Sequence, residues 1–446
     1  MRQGESEPTR AVAWKWLLAI AAAQLAAQMI TAGNYGMFRD EFYYLACARH
    51  LAWGYVDHPP FSIAVLATWT GVFGDSVHSI RLLAALVGST TVVLVGLLAH
   101  AMGGRRLAQI LAALVAAFTP AYLAIAGFYS MNALDIALWS ASFLLLVYIL
   151  NDTDRQLWLV LGVVLGIGLL NKLSVLVLGV ALVGGLVLSR RRRHLRSRHL
   201  WLGGGIALLL FLPHIVWQVT HGWPTLEFIA NAKRYKIAAF SPLGFFTEQI
   251  MLMHPLFFPL WFAGLGYLLY SRRMANYRML GWMFLITFVV LVVQRSKPYY
   301  LVAAFPPLIA AGAIAVEQTA RGWFRWLRHT VPAIVVVAGV AVMPMAIPVL
   351  PVDTLIRYQT ATGLAPGNAE NSAIGELPQM FADRFGWQEM TDAVVSVFEG
   401  LSDEEKARCV IVTGNYGEAA AIEYYGRGRG LPRVASIHNN YFLWGI

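Results

Sequence analysis

Between Val12 and Leu350 apolar residues recur in runs of roughly 15 to 24, each long enough to cross the hydrocarbon core of a bilayer as a helix. A chain patterned this way has few ways to fold. In lipid every backbone N–H and C=O must be satisfied within the span, so the runs become helices and the polar stretches between them become surface loops. Composition agrees: 58% of the 446 residues are hydrophobic and 13% are charged, against about 25% charged in soluble domains. The fold class expected is a polytopic α-helical membrane protein.

Apolar windows bounded by charge and by Pro, Gly and Asn give about eleven spans, at 12–32, 79–101, 107–122, 132–150, 157–171, 173–188, 200–217, 251–270, 279–293, 300–317 and 331–350. The stretch 61–75 is apolar but brief, and is expected to lie at the interface. The first span is long for the apolar region of a signal peptide and is expected to be retained. Cationic residues set the direction. With the N-terminus in the cytoplasm, fifteen of them fall on the inner side: Arg105, Arg106, Arg155, Arg190 to Arg193, Arg196, Arg198, Arg272, Arg273, Arg278, Arg321, Arg325 and Arg328. The opposite loops hold eight: Arg39, Arg49, Lys172, Lys233, Arg234, Lys236, Arg295 and Lys297. The bias places the N-terminus inside and the tail outside the plasma membrane. The net charge of +10 is read as this loop bias plus contact with anionic lipid. No RNA- or DNA-binding motif appears, which excludes nucleic acid as a partner. Cys47 and Cys409 offer neither a C-x-x-C pair nor a disulfide framework.

After Leu350 the chain turns polar. A Pro/Gly/Asn-rich linker at 362–368 precedes an amphipathic helix over Thr391 to Glu399, a buried strand over Cys409 to Thr413, a helix over Gly417 to Tyr425 and a strand over Val434 to Ile437. The expected organisation is a membrane domain over 1–350 and a small extracytoplasmic α/β domain over 351–446. Two strands are few for a complete sheet, and the stop at Trp444-Gly445-Ile446 raises truncation as a reading.

A transporter would carry ionisable residues at mid-depth, paired across a cavity. Here the spans are nearly free of Asp, Glu and Lys at that depth, and the polar residues gather in the outer loops. The first outer loop is the densest: Phe38-Arg39-Asp40-Glu41-Phe42-Tyr43-Tyr44, then Gly54-Tyr55-Val56-Asp57-His58-Pro59-Pro60. On a helix Asp40, Tyr43, Tyr44 and Cys47 share a face, while Glu41 points about 100° away. Asp40 and Arg39 either solvate a helix end or do chemistry. Asp135, in Asn132-Ala133-Leu134-Asp135, either opens a helix or faces the same site. Lys172 either snorkels to the interface or meets an anion there. His254 beside Pro255 is either structural or substrate-binding. Arg295, Lys297, Tyr299 and Tyr300 form a short basic and aromatic loop, and Lys233-Arg234-Tyr235-Lys236 is either a gate over a phosphate or a lipid contact. Separate loops thus put two carboxylates and several cations on one side of the membrane.

That set fits sugar transfer from a polyprenyl-phosphate sugar. The leaving phosphate, whose second pKa is about 6, needs cations more than a proton donor, and the acceptor hydroxyl needs a carboxylate base.

The same residues resemble a known family. The first outer loop is similar to that of GT-C-fold glycosyltransferases of the protein O-mannosyltransferase and aminoarabinose transferase superfamily, family 39-like. Asn132-Ala133-Leu134-Asp135, Gly168-Leu169-Leu170-Asn171-Lys172 and Ser296-Lys297-Pro298-Tyr299-Tyr300 resemble its later loop motifs, in order. The segment from Leu377 to Trp387, with Asn415-Tyr416-Gly417-Glu418 and the run from His438 to Gly445, resembles a bacterial branch. The resemblance implies inverting transfer with Asp40 as base and Glu41 beside it, Asp135 as a second outer carboxylate, and Lys172 and Lys297 on the lipid phosphate. His58, after Asp57, stands where the aminoarabinose enzymes carry lysine after an acid.

The candidates are therefore Asp40, Glu41 and Asp135 as catalytic residues. Tyr44, Asp57, His58, Lys172, Arg234, His254, Arg295, Lys297, Tyr299 and Tyr300 are substrate-binding candidates. No metal cluster is read from the sequence and no cofactor is assigned, a divalent metal staying open. The partners expected are the polyprenyl-phosphate donor, membrane lipid and an acceptor hydroxyl on lipid, glycan or protein; a lipid-linked sugar flippase is the alternative. The tail is read as a cap over the membrane core or as an acceptor-binding unit, with Glu418 and His438 the residues of interest.

Overall fold

The computed structural model describes residues 11–152, 154–232, 234, 240–363 and 375–445. Among them five helices are long and apolar enough to cross a membrane alone: Val77–Ala101, Met131–Leu150, Arg198–Thr220, Arg272–Val293 and Gly322–Met345. The expected spans 157–171 and 173–188 become the helices Leu157–Asn171 and Ser174–Leu188, apolar but only 15 residues each. The first expected span is the helix Trp14–Thr31, and the stretch 61–75 forms a 13-residue helix, Phe61–Phe73. At about 1.5 Å per residue that last helix is too short to span the bilayer.

Three expected spans are not straight. Arg106–Phe118 and Pro120–Ala126 meet at 62°, Pro242–Leu252 and Pro255–Tyr270 at 93°, and Pro298–Ala304 and Pro306–Thr319 at 56°. A proline opens the second piece each time. Proline lacks the N–H that would continue the preceding helix and suits the first turn of a new one. A hydropathy window reads through such a break because it senses apolarity and not direction.

Helices pack closely where side chains are smallest. A Cβ on Gly264 would lie 2.0 Å from the Leu308 carbonyl oxygen, and one on Gly312 would lie 2.2 Å from that of Leu260. The helices Phe258–Tyr270 and Pro306–Thr319 therefore meet backbone to backbone. Leu157–Asn171 and Arg198–Thr220 cross the same way at Gly162 and Gly203. The outward face of Arg198–Thr220 carries exposed Leu208, Leu209 and Val216, as a lipid-facing helix should.

The tail forms the helix Trp387–Glu399, the strand Ile411–Thr413, the helix Tyr416–Tyr425 and the strand Val434–Ser436. The strands pair in parallel with Ile411 opposite Val434, so the segment is one β-α-β unit. It is not free-standing. Ala419 to Ile422, Val434 and Tyr441 share a core with Phe42, Tyr43, Leu45 and Cys47 of the helix Arg39–Arg49 and with Ile63 and Leu66 of the helix Phe61–Phe73.

Candidate active site

The first outer loop folds into the helix Arg39–Arg49. The Phe38 backbone N–H donates to Glu41 Oε2 at 2.8 Å, which starts the helix, and carboxylates in a first turn are favoured by the helix dipole. The helical period then divides the two acids. Glu41 turns inward and is 1% exposed. Its Oε1 accepts from Arg81 Nε at 3.2 Å and from the Tyr129 backbone at 3.1 Å, and its Oε2 accepts from Arg81 Nη2 at 2.9 Å. Arg81 also donates to the carbonyls of Ala32 and Gly36, both at 2.5 Å. Glu41 is thus consumed by a buried ion pair and does not join Asp40. Arg81 fell inside the apolar run 79–101. An arginine in such a run is expensive without a partner, and that was the signal available.

Asp40 turns outward, with about a third of its side chain exposed. Its Oδ1 accepts from the Tyr416 hydroxyl at 2.7 Å and lies 3.6 Å from Arg39 Nε. Burial and the Asp40 charge push the Tyr416 hydroxyl well above its usual range, so it stays protonated and donates. Tyr43 donates to Asp57 Oδ1 at 2.9 Å. Burial raises the Asp57 carboxyl above the ordinary aspartate range, against the opposing pull of His58 and of the Tyr43 hydrogen bond. The His58 ring is 1% exposed, with Tyr44 and Tyr55 at 4.8 and 4.9 Å. Its Nδ1 is 3.0 Å from the Pro59 carbonyl and its Nε2 is 3.9 Å from Asp57 Oδ1.

Asp135, on the helix Met131–Leu150, meets Lys172, which lies in the extended break between Leu157–Asn171 and Ser174–Leu188. Lys172 Nζ lies 3.3 Å from Asp135 Oδ2 and donates to Asn132 Oδ1 at 2.8 Å, while Ser174 Oγ donates to Asp135 Oδ1 at 2.8 Å. The ammonium stands 4.5 Å from the ring centre of Tyr300 and 5.6 Å from that of Tyr299. The first loop reaches this group directly, since the Met131 N–H donates to the Tyr44 hydroxyl at 3.4 Å. Tyr299 in turn lies within electrostatic range of Asp40 and Tyr44. The loops quoted from positions 38–60, 132–135, 168–172 and 296–300 therefore converge on one place.

Other candidates stand elsewhere or at the margin. Lys297 is half-buried at the head of the Pro298–Ala304 turn, and Arg295 is exposed beside it with φ +52°. His254 holds the 93° bend: its Nδ1 accepts from the Leu256 N–H and its Nε2 sits 3.1 Å from the Ala338 carbonyl, so both ring nitrogens are occupied. Arg234 is exposed, and its neighbours Lys233, Tyr235 and Lys236 lie outside the described residues, as does most of the 362–368 linker. Among the described residues no three of His, Cys, Asp and Glu gather into a metal-binding group.

The tail contributes residues that the sequence had not singled out. Asn440 Oδ1 accepts from the Val56 N–H at 2.7 Å, Asp383 stands 3.3 Å from Arg39 Nη1, and Phe381 packs edge-on to Tyr35. Glu418 spends its carboxylate on the Gly414 and Asn415 N–H groups of its own helix start. The His438 ring lies edge-on to Tyr416 at 5.0 Å.

Residues 57–217 match the family model described as dolichyl-phosphate-mannose-protein mannosyltransferase. The fold is that of ArnT from Cupriavidus metallidurans bound to undecaprenyl phosphate, with a TM-score of 0.64 at 17% identity over 92% of this chain and 85% of that one. It is also that of the Archaeoglobus fulgidus oligosaccharyltransferase tethered to an acceptor peptide, with a TM-score of 0.57 at 13% identity over 95% of this chain and 64% of that one. The same archaeal protein in complex with an inhibitory peptide and a dolichol-phosphate matches at 0.55 and 13%, over 92% of this chain and 63% of that one. No curated protein sequence matches the chain. These likenesses bear out the GT-C fold expected from the loop motifs.

Proposed function

We propose that this GT-C-fold chain, with its mannosyltransferase-family segment at 57–217, is an integral membrane glycosyltransferase that moves a sugar from a polyprenyl-phosphate donor to an extracytoplasmic acceptor hydroxyl. The observation that carries the proposal is the state of Asp40. Its carboxylate is anchored through Oδ1 while Oδ2 has no hydrogen bond among the described residues, and it shares an electrostatic neighbour, Tyr299, with Lys172, which is paired to Asp135.

In the proposed step the acceptor oxygen attacks the anomeric carbon as its proton passes to Asp40. The bond from that carbon to the phosphate oxygen breaks, and the polyprenyl phosphate leaves with the electron pair. A single displacement inverts the anomeric configuration. Lys172 donates to Asn132 Oδ1 and pairs with Asp135, its ammonium has three N–H donors to share with a phosphate oxygen, and Lys297 supplies the second cation. Asp135 orients Lys172, and Glu41 holds the first loop to Arg81. The donor class is carried over from the solved structures with polyprenyl phosphates. The site faces the outside of the plasma membrane, with the N-terminus in the cytoplasm, following the loop charge. The membrane domain is 1–350 and the outer domain 351–446. No cofactor takes part in this reading.

Reconstituted protein supplied with a panel of radiolabelled polyprenyl-phosphate sugars tests it. Wild type is expected to release polyprenyl phosphate, and Asp40→Asn to release none. Labelled lipid that crosses the bilayer uncleaved, in the presence of protein only, would replace the transferase reading with a flippase.

A further inference from the structure

Asn415-Tyr416-Gly417-Glu418 begins 375 positions after Asp40 in sequence, yet its four residues fit together as one device. Asn415 and Glu418 cap each other: Asn415 Oδ1 accepts from the N–H groups of Gly417 and Glu418 at 2.9 and 3.1 Å, and Glu418 Oε2 accepts from the Gly414 N–H at 2.9 Å. This reciprocal arrangement fixes the start of the helix. Tyr416 is its first residue, and a first-turn side chain on a capped helix has a defined direction. Gly417 stands against Arg39, where a Cβ would lie 2.4 Å from Arg39 Cγ. A side chain at 417 would push the turn away from the helix that carries Asp40. The Tyr416 ring is clamped by Tyr43 at 4.8 Å, by His438 at 5.0 Å and by the Arg39 guanidinium at 5.6 Å. The outcome of all four residues is one hydroxyl at 2.7 Å from Asp40 Oδ1.

We infer that Tyr416 is a positioning residue for the base. It fixes Oδ1 so that Oδ2 faces the acceptor hydroxyl, and the β-α-β unit is thereby part of the catalytic site and not a cover over it. An aspartate carboxylate, with two side-chain torsions of which the second is broad, otherwise samples several directions, and a misplaced reacting group costs up to about 10²-fold in rate. The inference rests on the reading of Asp40 given above and adds the group that orients it.

The test uses full-length protein in liposomes, with a labelled polyprenyl-phosphate sugar turned over by wild type. Tyr416→Phe keeps the ring contacts and removes only the hydroxyl. It is expected to lower kcat by roughly 10- to 100-fold, with the KM for donor and the melting temperature unchanged. Gly417→Ala, which keeps the hydroxyl but displaces the turn, is expected to lower kcat in the same way. Full kcat in Tyr416→Phe, with Asp40→Asn inactive, would overturn the role of Tyr416 and leave the base reading standing. A rise in kcat would overturn it in favour of a tyrosine that occupies the acceptor's place. Equal activity in wild type and Asp40→Asn would sink the base assignment, and wild type that cleaves no donor would sink the transferase reading and this inference together.

Discussion

Glu41 and Arg81 face each other across 40 residues with Oε2 2.9 Å from Nη2, and neither side chain is more than 2% exposed. Removing one partner from such a pair leaves a buried charge unpaired, which costs about 3–5 kcal/mol. Glu41→Ala is expected to lower the melting temperature of detergent-solubilised protein strongly. Asp40→Asn, at an outward position, is expected to leave it near wild type. Equal effects would mean that the two acids are not divided between structure and chemistry.

Lys172 and Asp135 act as one unit in the geometry, at 3.3 Å. Lys172→Met and Asp135→Asn are each expected to cut transfer by about 10²-fold or more, the scale for losing one charge-stabilising donor. The double variant should lose far less than the product of the two, because contacting residues are not additive. Kinetics of the three proteins measure that coupling.

Arg384 is 3% exposed, its Nε donates to the Met380 carbonyl at 3.1 Å, and its two Nη atoms have no hydrogen-bond partner among the described residues. Burial and the nearby Arg81 charge depress its pKa, so the fold disfavours the charged form. A buried cationic group whose donors lack partners carries a desolvation cost that an apolar side chain of similar length does not. Arg384→Met is expected to raise the melting temperature or leave it unchanged. A clear fall would point to an anion that pairs with Arg384 in the membrane-bound protein.

Asp57 has a folded-state pKa above its unfolded value of about 3.9. The native state therefore binds more protons between the two values, and stability falls as pH rises from the unfolded value through the raised one. Asp57→Asn still accepts the Tyr43 hydrogen bond but cannot ionise. Melting temperatures measured from pH 4 upward should decline less steeply in Asp57→Asn than in wild type.

Much of this was legible in the chain. The period of 3.6 already separated Asp40 from Glu41, and the tail's patterns gave both strands and the helix between them within two residues of their observed starts, although the first strand, expected to be buried, leaves Val412 70% exposed. Local pattern suffices where local pattern is the cause. It does not reach the bends, where a single proline redirects an apolar run, or the left-handed φ of +76° that the turn imposes on His254. It also failed for Arg81 and Tyr416, whose partners are set by packing between segments distant in sequence. The motif around Tyr416 is visible in the sequence, but its most reactive-looking member, Glu418, caps its own helix.

If Asp40 is the base and Tyr416 aims it, as proposed above, the pairing has consequences during synthesis. The helix that carries Asp40 is made early, before Asp135, Lys172 and Tyr416 exist. The hydroxyl proposed to set its angle follows only after the chain up to position 415 has been made. Under that proposal a half-made chain lacks the group that aims its base, and full activity would await the folding of the tail against the helix Arg39–Arg49.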